Sequence, residues 1–427
     1  MAQRERRGAT VLVLAAVLAG AVSASAGGAA SPAETSLVAA GHSVSKPAAA
    51  VRAYWTPARM RRALDPAGVL RAPGSSPPAP APAAPPAYVP PAVPGEVGAR
   101  LIPGLPPGEA GSSAFSPGEE RAYPNRLHGR VFFSVGASDF ACSGTAVNSP
   151  ARSLVVSAGH CAFDGREWSA NWLFVPGYRD GRAPFGRWPA RTLRAPPQWV
   201  NDENISFDVS IATVARNRDG RALQDVIGAR GIGFNQPRDL VYTAYGYPAG
   251  PPFDGESLFA CRSRYAGDDS STDPPRTMRI NCDMNQGASG GGWVAREMVL
   301  SVNSYCTGLI LVCLDTTSLY GPYFGGAAQE LYLRSRGRAA RCAGARVTQL
   351  GGAGADSLRG RAGRDVISLA AGADTGSGRG GRDLLCGGRG DDTLRGGPGR
   401  DVCIGGPGRD SARGCEVRRQ IEVTDPT

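Results

Sequence analysis

The stretch "NCDMNQGASGGGW", residues 281–293, sets one serine among four glycines, after a cysteine and before a tryptophan. Glycine lets a chain turn sharply and lets other backbone approach closely, so this reads as a turn built to expose Ser289. A serine hydroxyl is a poor nucleophile at neutral pH. It needs a base within hydrogen-bond reach, and the base needs a carboxylate to fix its tautomer. Only three histidines are present, which narrows the search. His42 lies in the N-terminal region and His128 at the edge of a β-rich block. His160 ends the apolar run "SLVVSA", next to Cys161. For the acid, "NISFDVSIATV" offers Asp208, followed by alternating apolar residues. Its rival, Asp202, sits in the polar run "NDEN", which reads as a solvated loop.

Around that turn the chain divides by composition. Its 427 residues suggest two or three domains. Residues 1–26 combine a cationic head, a short apolar core and the small residues "SASA", the pattern of a secretory signal cleaved after Ala26. No later run is long and apolar enough to predict a membrane span. Residues 27–126 read as a pro-segment with a Pro/Ala-rich linker that cannot bury a core. Within it, "RAYWTPARMRRALD" spaces Trp55, Met60 and Leu64 near a helical period. That fits either a short helix docked on the next domain or a loosely ordered leader.

Residues 127–336 hold many short β-branched and aromatic runs separated by Gly, Pro, Asn and Asp. This predicts an all-β, antiparallel barrel or sandwich with room for a sizeable core. Ten cysteines in an exported chain predict disulfides. The formal charge of +10 does not imply nucleic acid: Lys46 is the only lysine, and the arginines are dispersed rather than gathered into a stripe.

"CSGTAV" followed by "SAGHC", with "GASGG" downstream, closely resembles the histidine and nucleophile motifs of trypsin-like (chymotrypsin-fold) serine endopeptidases, nearest the secreted bacterial branch. The order His160, Asp208, Ser289 is that family's order. The resemblance implies an antiparallel double β-barrel, a base in His160, an orienting acid in Asp208 and an oxyanion hole from the N–H groups of Gly287 and Ser289. No cofactor is needed for this chemistry, and the implied partners are protein or peptide substrates and the chain's own pro-segment. It also implies a Cys142–Cys161 disulfide around the histidine, contributing roughly 3 kcal/mol by loop restriction. Cys261 with Cys282 and Cys306 with Cys313 are the economical pairings for the rest. A zinc site is a poor reading of these spacings.

The chain also departs from the pattern. Ala288 stands where animal-type enzymes carry the aspartate that pairs with a freed N-terminus, so maturation, with Arg121, Arg126 and Arg130 as candidate cleavage points, would act by unblocking. Asp283 has the spacing of a basic-residue selector beside a differently placed cysteine. Asn303 and Ser304 occupy the strand beside the substrate, where a glutamate-selective relative carries histidine, so glutamyl preference is disfavoured.

After a connector (337–350) comes a repeat domain, residues 351–415, in which 351–413 repeat every nine residues with Gly at position four and Asp at position six: Asp356, Asp365, Asp374, Asp383, Asp392, Asp401 and Asp410. This resembles hemolysin-type (RTX) repeats. It implies a parallel β-roll that points Leu358, Ile367, Leu385 and Leu394 inward and binds Ca2+ through the aspartates. A metal-free roll stapled by Cys342, Cys386, Cys403 and Cys415, with Arg364, Arg382, Arg400 and Arg409 neutralising the acids, is the alternative. Residues 416–427 form a tail.

The leading expectation is therefore an exported serine endopeptidase, extracellular or cell-surface, whose roll serves stability, late folding or attachment to surface polymers. A catalytically inactive adhesin on the same scaffold and a protease-fold esterase are the competing readings.

Overall fold

The run "RVFFSV" is apolar at successive positions, so its strand must be covered on both faces. The computed structural model describes residues 39–64, 85–92, 111, 113–307, 315–337, 341–351 and 355–424. The signal at 1–26, most of the Pro/Ala linker and Cys313 lie outside them. No helix among the described residues is long and apolar enough to cross a membrane. In the strand His128–Val135, Val131 and Phe133 enter one buried cluster and Phe132 another. This strand pairs with Ser138–Val147 and Ala170–Pro176. Leu154–Ser157, Ser210–Val214 and Trp188–Ala195 complete a closed six-stranded antiparallel barrel. Trp172, Phe174, Trp188 and Leu193 fill it beside Val131 and Phe133.

Residues 39–64 cover part of the barrel's other face. Ala40–Ser43 adds an antiparallel edge strand to Trp188–Ala195. Two short helices follow, Ala48–Tyr54 and Pro57–Arg61; Thr56 caps the second by accepting from Arg59 N, and proline opens it. Trp55 and Met60 are fully buried in the cluster that contains Phe132. The Trp55 indole donates to Asn171 O at 2.6 Å, and Arg59 and Tyr54 both reach Asp139. The stretch "RAYWTPARM" is thus docked.

The second half is built from Val241–Gly246, Phe259–Asp268, Met278–Asn281, Gly292–Ala295, Met298–Val302, Tyr305–Thr307 and Asp315–Gly321. Met298–Val302 pairs with Gly292–Ala295, while Tyr305–Thr307 pairs with Asp315–Gly321. One segment, interrupted only at Asn303 and Ser304, therefore joins the two ends of the sheet. Gly231–Phe234 adds outside it, and Ala87–Val89 from the proline-rich region pairs onto that strand. Helix Gly326–Ser335 packs Leu331 and Tyr332 into the core. The expected disulfides Cys142–Cys161 and Cys261–Cys282 are formed.

Beyond residue 348 two parallel five-stranded sheets face each other, stacked in coils of two nonapeptides. Leu358, Ile367, Leu385 and Leu394 are buried between them, with Leu369, Cys403 and Ala412. Cys342–Cys386 ties the connector to the roll, and Cys403–Cys415 closes its last coil. The roll abuts the barrel at the loop before Arg221, where Leu350 N donates to Gly220 O.

Trp55→Ala would leave a large void against Phe132, so it should destabilise the full-length chain by about 3–5 kcal/mol. Chemical denaturation of the two proteins measures this directly, and a loss under 1 kcal/mol would mean that the leader is not part of the core.

Candidate active site and calcium-binding roll

Asp208 follows the short turn Ile205–Phe207 and opens the strand Ser210–Val214, which lies beside Leu154–Ser157 in the barrel. That pairing brings Asp208 to His160, which follows Leu154–Ser157 by three residues. His160 N donates to Asp208 Oδ1 at 2.8 Å, and Nδ1 lies 2.9 Å from Oδ2. A carboxylate only accepts, so Nδ1 carries a proton toward Asp208 and Nε2 is the ring nitrogen that this contact leaves free. Both side chains are buried. Trp199 packs edge-on to the imidazole at 6.4 Å and is itself held through its indole N–H to Phe163 O. Ser304 Oγ, from the second half, donates to Asp208 Oδ2 at 2.5 Å. Asp202 ends the helix Pro197–Asp202 and is exposed.

Ser289 comes to this corner through backbone contacts. Its carbonyl accepts from Ser143 N at 2.7 Å, and Ser143 follows Cys142, whose disulfide partner Cys161 follows His160. Ser143 Oγ donates to Gly287 O at 2.9 Å and accepts from Tyr247 N at 2.9 Å, riveting both halves to the turn. A Cβ on Gly290 would collide with Ser157 Oγ and Ser143 O, and its φ of +84° is left-handed. That is one physical reason for glycine after the serine. Gly287, at φ +87°, makes the turn before it. Gln286 O accepts from Ala249 N, and Ala288 O accepts from Gly291 N and Asn303 Nδ2. In a planar trans peptide the N–H opposes the C=O, so the N–H groups of Gly287 and Ser289 face away from those anchors.

The remaining candidates divide. Asp283 Oδ1 accepts from Ala114 N at 2.5 Å, on the segment whose Phe115 bridges to Ala260. Asn303 is buried and bonded to three protein groups. His128 is buried, stacked on Tyr245 and bonded through Nδ1 to Thr145, and His42 stacks on Trp168. Nothing in the local sequence marks Ser143. The quoted motif "CSGTAV" contains it, but only the docked turn reveals what it does.

In the roll the aspartates form two files. Asp356 N donates to Asp374 Oδ1, Asp374 N to Asp392 and Asp392 N to Asp410, while Asp365, Asp383 and Asp401 form the second file in the same way. Each file ends on a glutamate: Asp401 N donates to Glu416 and Asp410 N to Glu422. Asp374, Asp383, Asp392, Asp401 and Asp410 are almost wholly buried, and the Oδ2 of each has no protein partner. Orphaned buried carboxylate oxygens in register are what a hard cation requires. Arg364, Arg382, Arg400 and Arg409 are exposed while these aspartates are buried.

Comparison with known proteins follows this division. The chain resembles the crystal structure of Protease Anisep from Arthrobacter nicotinovorans at 37% identity, covering 49% of this chain and 95% of that one, with a TM-score of 0.46. It resembles thermostable serine protease AL20 from an extremophilic microorganism at 34% identity, covering 49% and 97%, also at 0.46. The chain belongs to the chymotrypsin-fold serine proteases. A Glu endopeptidase solved in complex with MPD is 17% identical, covering 52% and 96%, at 0.41. No curated protein matches the chain. The family model for the RTX calcium-binding nonapeptide repeat matches residues 350–385 and 377–412.

This serine-protease-family chain therefore carries a calcium-binding C-terminal roll, and its orphaned Oδ2 atoms fit that ion. Asp374, Asp383, Asp392, Asp401 and Asp410 would hold it, the cation offsetting their mutual repulsion. Burial pushes the carboxyls of Asp383 and Asp392 up to about 6 in the metal-free chain, with the neighbouring aspartates of each file adding to the rise. A carboxyl raised on folding stabilises the fold below its unfolded value near 4, and this is lost as pH rises through about 6. With chelator present, the thermal midpoint of the roll should therefore rise as pH falls from 7 to 5. With calcium the midpoint at pH 7 should be higher, and the gain should shrink on acidification as protons compete for the ligands. Circular dichroism melts at both pH values check this; a midpoint indifferent to calcium at pH 7 would contradict it.

Proposed function

We propose that this protein is an exported serine endopeptidase that cleaves peptide bonds through an acyl-enzyme on Ser289. The observation that carries the reading is the buried Asp208–His160 pair, with the Ser289 turn bonded to the same strand–disulfide corner. His160 Nε2 takes the Ser289 Oγ proton as the oxygen attacks the substrate carbonyl. The N–H groups of Gly287 and Ser289 bind the oxyanion, and His160 returns the proton to the leaving amine. Water then repeats the sequence on the ester. Asp208 holds the imidazole and stabilises its cation, and Ser304 holds Asp208. Protein and peptide substrates follow from this chemistry and from the likeness to two proteases.

Export is supported by the signal-like N-terminus and by four disulfides among the described residues. Residues 27–126 act as a leader removed or nicked on maturation. Of the three candidate arginines only Arg121 is exposed; Arg126 is half-buried and bonded to Ile227 O, and Arg130 is buried against Gly255 and Glu256. Cleavage is therefore assigned to the Arg121 side.

Ser289→Ala should lower kcat by on the order of 10⁶ and abolish labelling by a fluorophosphonate probe. Retained hydrolysis in the purified variant would overturn the assignment. A wild-type chain that the probe does not label would point to an inactive scaffold, and one that cleaves esters but no protein to an esterase.

A further inference from the structure

We propose that Asn303 is a positioning residue for the oxyanion hole, its buried carboxamide setting the Ala288–Ser289 peptide so that the Ser289 N–H faces the reacting carbonyl. The proposal rests on the protease reading above and deepens it. Asn303 lies in the two-residue gap between Met298–Val302 and Tyr305–Thr307, and is 1% exposed. Its Oδ1 accepts from Trp293 Nε1 at 2.6 Å, and its Nδ2 donates to Ala288 O at 2.8 Å and Tyr245 O at 2.9 Å. The amide cannot be turned over. An indole N–H only donates and the two carbonyls only accept, so one orientation satisfies all three contacts.

The backbone of the same residue holds the turn from the other side. Gly290 N donates to Asn303 O at 2.7 Å, and Asn303 N donates to Gly291 O at 2.8 Å. Asn303 thus fixes residues 288, 290 and 291 around the nucleophile. Because the 288–289 peptide is planar and trans, anchoring Ala288 O dictates where the Ser289 N–H points. Gly291 N also donates to Ala288 O, but from inside the turn, so it would move with the turn if the peptide flipped. Asn303 ties that carbonyl to the strand that joins the sheet ends and to Trp293, which is itself fully buried. Substrate contact, expected for this position from its place beside the nucleophile, would require the carboxamide to abandon these three bonds.

Asn303→Asp keeps the size and the acceptor for Trp293, but sets an oxygen against the Ala288 and Tyr245 carbonyls. In the full mature enzyme it should lower kcat on a peptide ester or amide by roughly 10²- to 10³-fold, the scale of one lost oxyanion donor, with KM changed less than about threefold. The Ki of a peptide aldehyde, which forms a tetrahedral adduct, should rise in parallel, while that of the matching peptide alcohol stays put. Near-UV circular dichroism and a thermal melt verify that the variant is folded; if it is not, Asn303→Ala is read by the same measurements. A folded variant with unchanged kcat, or one that loses aldehyde and alcohol affinity together, overturns the proposal. A wild-type enzyme inert toward these substrates overturns the protease reading and this one with it, whereas an active wild type with an unchanged variant overturns this one alone.

Discussion

A carboxylate with no exposed surface governs the arrangement of both halves. Removing a charge from water costs several kcal/mol even after relaxation, so Asp208 is tolerable only if donors meet it inside. Two of those donors, the backbone and ring N–H of His160, come from its own barrel; the third, Ser304 Oγ, comes from the other half. The halves cannot separate or slide without stranding that charge. The geometry that orients the imidazole is therefore also a constraint on how the two halves dock. Ser143 adds a second tie at the same seam, its hydroxyl and its N–H both donating to the Ser289 turn.

The turn pays for this closeness with glycine. Ser289 must approach a strand that already carries Ser157 and the Cys142–Cys161 bridge, and only a residue without Cβ fits at 290. The cysteine bridge, the histidine and the glycine-rich turn are thus three parts of one contact rather than three independent motifs.

Much of this was legible in the linear chain, and what was not has physical causes. His160 and Ser289 are marked by local composition, because exposing a serine hydroxyl and docking its turn both demand small neighbours. The preference for Asp208 over Asp202 followed from the alternating apolar run after it, the pattern of a barrel strand. Spacing places Asn303 and Ser304 beside Ser289 without saying whether their side chains face outward or the interior; both face the interior. Ser143 was invisible because a serine in a strand is unremarkable until another half of the molecule lands on it. The strand Ala87–Val89 was hidden inside "PPAYVPPA", where proline argues against a sheet. It is tolerated because this is an edge, contributing backbone hydrogen bonds while Tyr88 stays 67% exposed. The Cys342–Cys386 pairing depended on which coil of the roll lies level with the connector, a question of stacking height that a nine-residue period does not answer.

The roll obeys the opposite electrostatic logic to the Asp208 corner. Asp208 is satisfied by protein donors, whereas Asp374, Asp383, Asp392, Asp401 and Asp410 each spend Oδ1 on a backbone N–H one coil earlier and leave Oδ2 to a cation. A periodic ladder of this kind has no natural end, since every coil presents an aspartate N–H that needs an acceptor from the next coil. Glu416 and Glu422 supply it here, at 15 and 12 residues instead of the 18 that separate successive aspartates in a file. The longer side chain compensates for the shorter path, and Cys403–Cys415 pins the shortened coil in place. The last coil thereby meets the acceptor demand of the one before it, so the stack terminates without offering an unpaired aspartate N–H to another chain.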